Sequence, residues 1–171
     1  MKSIALFWFR RDLRLDDNVG LYHALDNETN VLPIFIFDSD ILSRLPKEDA
    51  RVSFLHQRIE DLNKELGRSK KKIHVFHGKP VRVFRKILKS NSVHAVYTNR
   101  DYEPYATQRD TEIEALLSEN NISFSTYKDH VIFERDEVVK SDGTPYRVYT
   151  PYSRVWLDKF DRQKHLKSYR I

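Results

Sequence analysis

The segment FWFRRDLRLDDN, residues 7–18, begins as a run of apolar residues and then changes abruptly to charged ones. Three arginines and three aspartates fall between Arg10 and Asp17. Residues 3–9 have the continuous apolar character of a strand that is covered on both faces, as in a parallel sheet. The segment therefore predicts a buried first strand that is followed by a densely charged turn.

The same kind of apolar run recurs along the chain, with helical periodicities between the runs. The further predicted strands are residues 31–37, 73–76, 94–98 and 122–127. The clearest helix carries apolar residues at spacings of three and four from Val52 to Leu66 and ends at Gly67. This alternation predicts an α/β fold, a Rossmann-like five-stranded parallel sheet of strand order 3-2-1-4-5 with helices on both faces.

The alternation stops after Tyr127. Residues 143–156, GTPYRVYTPYSRVW, contain two prolines and several aromatic rings, and they show no strand–helix unit. We therefore divide the chain into an α/β domain over residues 1–128 and an extended connection over residues 129–171.

Composition and charge exclude several classes of protein. The chain has 171 residues, which suits one ordinary domain, and it has no cysteine for disulfides or thiolate metal sites. No apolar stretch reaches the roughly 20 residues of a membrane span, and the N-terminal apolar run is too short for a signal peptide. We predict a cytoplasmic protein without membrane contact.

The chain carries a net charge of +5, which permits contact with a polyanion such as DNA. The excess positive charge is spread along the sequence, however, and only RSKKK, residues 68–72, forms a basic run. We interpret that run as a solvated loop. The isolated chain is therefore expected to bind DNA weakly or not at all.

The common phosphate-binding and catalytic motifs are absent. There is no G-x-G-x-x-G after the first strand and no G-x-x-x-x-G-K-[ST]. No serine lies in a G-x-S-x-G elbow, and no pair of carboxylates has a supporting acid–base motif, so we predict no catalytic residue. His74 and His77 lie near one strand end without a third partner close in sequence, and we predict no metal site.

Ligands of an open parallel sheet bind beyond the carboxyl ends of the strands, where the strand order reverses. For the order 3-2-1-4-5, the segments at that point are RRDLR after the first strand and NRDYEPY after the fourth. Two interpretations remain open. These charges line a pocket for a polar, planar or anionic ligand, or arginines such as Arg10 and Arg11 pair with Asp101 and Glu103 and hold the edges together.

Three segments carry a resemblance to one family. FWFRRDLRLDDNVGLYHAL, residues 7–25, resembles the opening signature of the photolyase/cryptochrome family, and DYEPYATQRD, residues 101–110, resembles its second signature. GTPYRVYTPYSRVW resembles the third, and all three come in the family's order. The resemblance implies the N-terminal α/β domain, which holds a light-harvesting antenna chromophore. It also implies that residues 129–171 lead toward a helical FAD domain that is absent from this chain.

The resemblance implies a function for the parent protein, namely that of a deoxyribodipyrimidine photo-lyase. Such a flavoprotein is a carbon–carbon lyase that repairs damaged DNA by electron transfer from photoexcited reduced FAD. The FAD site and the lesion site belong to the absent domain, so the isolated chain is expected to be inactive. The same domain of a cryptochrome photoreceptor is the first alternative, and a stand-alone nucleotide-binding module is a further one.

The resemblance also implies which residues hold the antenna chromophore. In family members with a deazaflavin or flavin antenna, the counterparts of Arg51, Asp101 and Glu103 line the pocket. Members with a folate antenna have an Asn–Glu pair where this chain has Tyr105 and Ala106, which favours a deazaflavin or flavin over a folate. The predicted cofactor-binding residues are Arg11, Phe37, Asp38, Arg51, Phe54, Asp101 and Glu103.

Overall fold

The structure is a computed structural model that describes residues 3–67 and 71–170. Most of the basic run predicted as a loop at residues 68–72 lies outside this part of the chain. The strands are β1 (Ile4–Phe9), β2 (Val31–Phe37), β3 (His74–His77), β4 (Val93–Asn99) and β5 (Ser123–Tyr127). The helices are α1 (Val19–Asn27), α2 (Ser39–Leu42), α3 (Ala50–Gly67), α4 (Pro80–Ser90), α5 (Pro104–Glu119), α6 (Tyr149–Lys159) and α7 (Arg162–His165).

The strands form one five-stranded sheet of order β3-β2-β1-β4-β5, and all neighbouring pairs are parallel. In the central strand, Phe7 lies opposite Pro33 of β2 on one side and Tyr97 of β4 on the other. The predicted fold class and strand order are confirmed. Because the strands are parallel, their carboxyl ends meet at one edge, and the order reverses between β1 and β4.

Alternate side chains of β1 enter two separate cores. Phe7 and Phe9 lie in the core that includes residues of α1 and α3. Leu6 and Trp8 lie in the core that includes residues of α4 and α5. Burial of each large apolar side chain contributes about 1.5–3 kcal/mol. Because β1 has apolar side chains on both faces, helices pack against each face of the sheet.

A buried network fixes the turn between β1 and α1. The Asn18 side chain accepts a hydrogen bond from the Leu21 amide at 3.1 Å and so caps the N-terminus of α1. Asn99, at the end of β4, donates from its side-chain amide to Asp12 Oδ2 at 2.6 Å and to Asn18 Oδ1 at 2.8 Å. Its Oδ1 accepts from the Gly20 amide at 2.8 Å. The charged turn is thus held rigidly against the neighbouring strand.

The prediction of an extended connection over residues 129–171 is wrong for Tyr149–Lys159, which form helix α6. Prolines suggested an extended segment, but Pro151 lies in the first turn of α6, where a backbone N–H has no intrahelical partner. The Trp156 ring packs edge-on against Phe133 at 5.3 Å and stacks on Phe160 at 5.1 Å. The domain boundary at residue 128 stays a prediction.

Within residues 3–67 and 71–170, none of the helices combines the length and the apolar character that crossing a membrane requires.

Candidate functional site

A cavity of about 250 Å³ lies at the carboxyl edge of the sheet. It lies over the ends of β1 and β2 and reaches the exit of β4 and the helix α5. The lining residues that matter for its chemistry are Trp8, Arg10, Arg11, Phe37, Asp38 and Asp101. Ligands of open parallel sheets bind beyond the carboxyl ends of the strands, where the strand order reverses. A cavity lies beside that point in this structure.

Arg11 joins the two charged strand exits. Its Nε lies 3.2 Å from Asp101 Oδ2, and its Nη2 lies 3.0 Å from Glu103 Oε1. The Arg11 side chain is 54% exposed, so these ion pairs contribute only about 0–1 kcal/mol to stability. Arg11 thus forms the predicted ion pairs with Asp101 and Glu103, whereas Arg10 pairs with Asp110 instead. A cavity lies beside the Arg11 ion pairs, and ligand binding in it stays a prediction.

Asp38, at the exit of β2, is a buried carboxylate with its own partners. It caps the short helix α2 by accepting a hydrogen bond from the Asp40 amide at 3.0 Å. The Tyr105 hydroxyl, which comes from the first turn of α5, donates to Asp38 Oδ2 at 2.6 Å. Desolvation and this carboxylate raise the pKa of Tyr105 above its ordinary value, so its hydroxyl remains a donor. Tyr105 therefore bridges α5 to the end of β2.

Two arginines lie close to the indole ring of Trp8. The Cζ of Arg10 is 4.2 Å from the centre of that ring, and the Cζ of Arg109 is 4.9 Å from it. Asp110 accepts hydrogen bonds from Arg10 Nη1 and Nη2 at 2.7 and 2.8 Å, and from Arg109 Nε at 3.2 Å. Burial and the neighbouring Arg109 lower the pKa of Arg10 to about 10, which leaves the guanidinium charged at neutral pH. One carboxylate thus serves two cations beside Trp8.

The structure brings four of the predicted cofactor-binding residues to the cavity, namely Arg11, Phe37, Asp38 and Asp101. Glu103 lies outside the lining and is linked to it through Arg11. Two further predicted residues on α3 also lie outside it. The Arg51 guanidinium is held by Asp49 at 2.7 Å, and Phe54 is 68% exposed, whereas its neighbour Leu55 lines the cavity.

Sequence reasoning missed Trp8, Tyr105 and Arg109 as parts of this site. In the sequence, Trp8 has the character of a core residue of the first strand, and Tyr105 stands out only as a departure from the folate-binding pattern. The signal for Arg109 was present in the resemblance, because it lies within the second signature segment. Nothing in the sequence pattern indicated that its side chain would reach the first strand.

The chemistry of the cavity suits a flat ligand. Apolar and aromatic side chains with a few converging polar groups are typical of small-molecule sites. The cavity of about 250 Å³ is slightly below the usual range of about 300–1,000 Å³. It therefore suits a single ring system, with any larger substituent outside. The Arg10 Nε is buried without a hydrogen-bond partner among the described residues.

A second polar group lies where β1 and β5 end. Ligand atoms of Asp12, Asp129 and His130 lie within 4.8 Å of one another, a grouping that the sequence analysis did not foresee. Asp129 Oδ1 accepts from Arg14 Nη2 at 2.7 Å and from the Val19 amide at 3.0 Å. Because Arg14 balances the charge of Asp129, the group ties the β1–α1 turn to the exit of β5.

Comparison with known proteins identifies relatives over nearly the whole chain. A family model described as DNA photolyase matches residues 5–168. The deoxyribodipyrimidine photo-lyase of Synechococcus sp. is 31% identical over 156 residues, which cover 91% of this chain and 32% of that protein. Cryptochrome-1 of Drosophila melanogaster is 30% identical over 150 residues, covering 83% of this chain and 27% of that protein.

Two solved structures have the same fold. A bacterial class III photolyase from Agrobacterium tumefaciens superposes with a TM-score of 0.85 at 25% identity, covering 99% of this chain and 34% of that one. An archaeal photolyase from Sulfolobus tokodaii superposes with a TM-score of 0.70 at 34% identity, covering 78% of this chain and 32% of that one. The Sulfolobus structure contains two FAD molecules, which implicate a novel light-harvesting cofactor in that protein. The present chain spans about a third of the length of these photolyases.

Proposed function

Because the chain belongs to the DNA photolyase family, we propose that it is the N-terminal antenna domain of a light-dependent DNA repair enzyme, a deoxyribodipyrimidine photo-lyase. The observation that carries this proposal is the cavity beside the Arg11–Asp101 ion pair, at the point where the strand order reverses. Its lining offers hydrogen-bonding groups and aromatic rings. An antenna requires a ligand that is held rigidly and shielded from water, and such a lining meets that need without a catalytic group.

Each residue of the proposed site has a role in holding the ring system. The Asp38 and Asp101 carboxylates accept hydrogen bonds from ring N–H groups, and Arg11 donates to a ring carbonyl. Phe37 contributes an aromatic wall. Arg51, Phe54 and Glu103 lie outside the cavity lining and are proposed to contact the parts of the ligand that extend beyond it. When bound, the antenna chromophore supplies light absorption and energy transfer.

A deazaflavin or a flavin is the proposed antenna, in preference to a folate. The Sulfolobus relative with two FAD molecules supports a flavin-type antenna in this fold. The Tyr105 hydroxyl is already bonded to Asp38, and Ala106 is buried and has no polar side-chain atom. These two positions therefore lack the carboxylate that the folate-binding type offers.

The repair reaction itself belongs to the parent protein. We propose that the parent splits cyclobutane pyrimidine dimers with electrons from reduced FAD, and that FAD and the damaged DNA bind to the two thirds of the family's length that this chain does not span. The isolated chain is proposed to be inactive in repair and to bind DNA weakly at most. The cytoplasmic location stays a prediction, which cell fractionation tests.

A cryptochrome photoreceptor is the second candidate, and the similarity to Drosophila cryptochrome-1 supports it. The two functions differ in the fate of a DNA lesion. Loss of pyrimidine dimers under blue light, catalysed by the complete protein and absent in the dark, supports the repair enzyme. Persistence of the dimers under the same illumination supports the photoreceptor.

Ligand binding tests the antenna site directly in the present chain. Riboflavin 5′-phosphate, a deazaflavin and a folate are each titrated into the purified chain, with fluorescence anisotropy as the readout. We expect saturable binding of a flavin or deazaflavin, and a loss of about 10- to 100-fold in affinity for Arg11→Gln and Asp38→Asn, since each removes a charged hydrogen-bonding group. Lys86→Gln, an exposed position on α4, is the control and should leave the affinity unchanged.

Two results would contradict the proposed antenna site. One is the absence of saturable binding of any of the three compounds. The other is binding that Arg11→Gln and Asp38→Asn leave at the level of the Lys86→Gln control. Binding of the folate alone would contradict the proposed class of chromophore.

A further inference from the structure

Trp8 poses a problem for an antenna that binds in this cavity. Trp8 is one of the cavity-lining residues but is only 2% exposed, and its indole ring packs edge-on against Phe84 at 5.1 Å in the core beneath. Indole is an electron-rich ring, and an excited flavin is a strong one-electron oxidant. Electron transfer would oxidise Trp8 to its radical cation and reduce the excited flavin ring by one electron. The electron would then return with no bond broken, and the absorbed light would be lost as heat.

The two guanidinium groups over Trp8 oppose this electron transfer. Cations attract the neutral indole ring through its quadrupole, and they repel the positive charge that oxidation would place on it. The Cζ atoms of Arg10 and Arg109 lie 4.2 and 4.9 Å from the ring centre. Both contacts therefore stabilise the reduced ring relative to the oxidised one.

Two carboxylates lie beside these arginines and offset part of their positive charge. Asp110 supplies one carboxylate to both guanidinium groups, and the Asp12 carboxylate is occupied by the Arg10 backbone amide at 2.7 Å and by Asn99. The Arg10 side chain is 5% exposed and that of Arg109 is 8% exposed, so water screens them weakly.

We propose that Arg10 and Arg109 protect the antenna excitation by making Trp8 a poor electron donor. This inference rests on the proposed function, because it assumes a flavin-type chromophore in the cavity. It adds a role that concerns light harvesting alone: the two arginines suppress electron transfer from the Trp8 indole to the excited chromophore.

The fluorescence lifetime of the bound flavin tests the proposal. Riboflavin 5′-phosphate is bound to the wild-type chain and to Trp8→Phe, Arg109→Met, Arg109→Lys and the double variant Trp8→Phe/Arg109→Met, and the affinity of each is measured first. We expect equal lifetimes for wild type, Trp8→Phe and Arg109→Lys. Arg109→Met should shorten the lifetime, because the loss of one unit charge 4.9 Å from the ring centre favours oxidation of Trp8 by about fourfold at equilibrium, even with the dielectric constant of water. The double variant should restore the lifetime, because the electron donor has been removed.

Several outcomes overturn the proposal. A longer lifetime in Trp8→Phe than in wild type would show that Trp8 already quenches despite the arginines. An unchanged lifetime in Arg109→Met, or a short one that persists in the double variant, would show that the charge on Arg109 does not govern quenching by Trp8.

A second measurement needs no flavin. The sequence contains two tryptophans, Trp8 and Trp156, so one-electron oxidation of the ligand-free chain by azide radicals distributes the radical between them. We expect the ratio of the Trp8 share to the Trp156 share, calibrated with the variant Trp156→Phe, to rise about fourfold in Arg109→Met. An unchanged share would refute the charge effect itself. Failure of the wild-type chain to bind either a flavin or a deazaflavin, with the share still rising, would instead refute the proposed antenna chromophore.

Discussion

The replacement of Asp110 by asparagine tests the charge balance beneath the cavity. The Asp110 carboxylate accepts two parallel hydrogen bonds from Arg10, at 2.7 and 2.8 Å, and a further one from Arg109. Asparagine keeps one acceptor oxygen but places an N–H₂ group where the second acceptor was. A donor then faces the Arg10 guanidinium, and two buried cations lose the charge that binds them together.

The expected loss of stability is large. Two unit charges about 4 Å apart interact by about 4 kcal/mol at the effective dielectric constant of about 20 that suits protein sites. Removing one partner of a buried pair typically costs about 3–5 kcal/mol. The Asp110 side chain is 19% exposed, so water reaches the site and lowers the cost. We therefore expect the free energy of unfolding to fall by about 3 kcal/mol.

Urea denaturation followed by far-ultraviolet circular dichroism measures this loss. The double variant Arg10→Met/Asp110→Asn should be more stable than the sum of the two single variants predicts, because it leaves one buried cation, Arg109, without a carboxylate instead of two. Glu112→Gln, an exposed position on the same helix, is the matched control and should change the stability by less than about 0.5 kcal/mol. A loss below about 1 kcal/mol for Asp110→Asn, or a double variant as unstable as the sum of the single variants, would refute this reasoning.

Two further predictions concern the packing and the titration of the sheet. Gly20→Ala should lower the free energy of unfolding by about 1–3 kcal/mol, because the new Cβ would lie 2.6 Å from Asn99 Oδ1. Gly67→Ala is the control and should not destabilise the protein, since no atom of the described residues lies within 4 Å of its new Cβ. Equal effects of the two variants in urea denaturation would contradict the prediction. Burial and the Glu28 carboxylate raise the pKa of Tyr97 from 10.0 to about 12, so its contribution to stability is complete below pH 10.0 and is lost as the pH rises through about 12. The ultraviolet difference titration between wild type and Tyr97→Phe should accordingly have its midpoint near pH 12, and a midpoint near pH 10 would disprove the shift.

The parts of the fold that the sequence predicted are those that local patterns determine. The unbroken apolar run of β1 specifies a strand buried on both faces, and five such runs separated by helical periodicities leave few topologies other than a parallel sheet. The strand order then identifies which two exits face each other, and Arg11 and Asp101 do meet there at 3.2 Å. Both steps use periodicity and chain order alone.

Most of the missed features depend on long-range contacts that no local pattern encodes. Phe54 is an exception, because the helical spacing of Val52, Leu55 and Ile59 already placed Leu55, and not Phe54, on the apolar face of α3. The Arg51 guanidinium forms an ion pair with Asp49, two residues earlier, and Arg51 is not part of the cavity lining. The helix α6 was missed because proline disfavours a helix interior but is tolerated in a first turn.

The side-chain amide of Asn99 has a consequence for the order in which this chain can fold during synthesis. It completes the β1–α1 turn through Asn18, which lies 81 residues earlier in the sequence. Until β4 has left the ribosome, the strand at the centre of the finished sheet is an unpaired edge with an unfinished turn. Such an edge can pair with other chains, and the contacts that close it are far apart in sequence and slow to form. The nascent protein is therefore most vulnerable to aggregation during the interval before its fourth strand emerges.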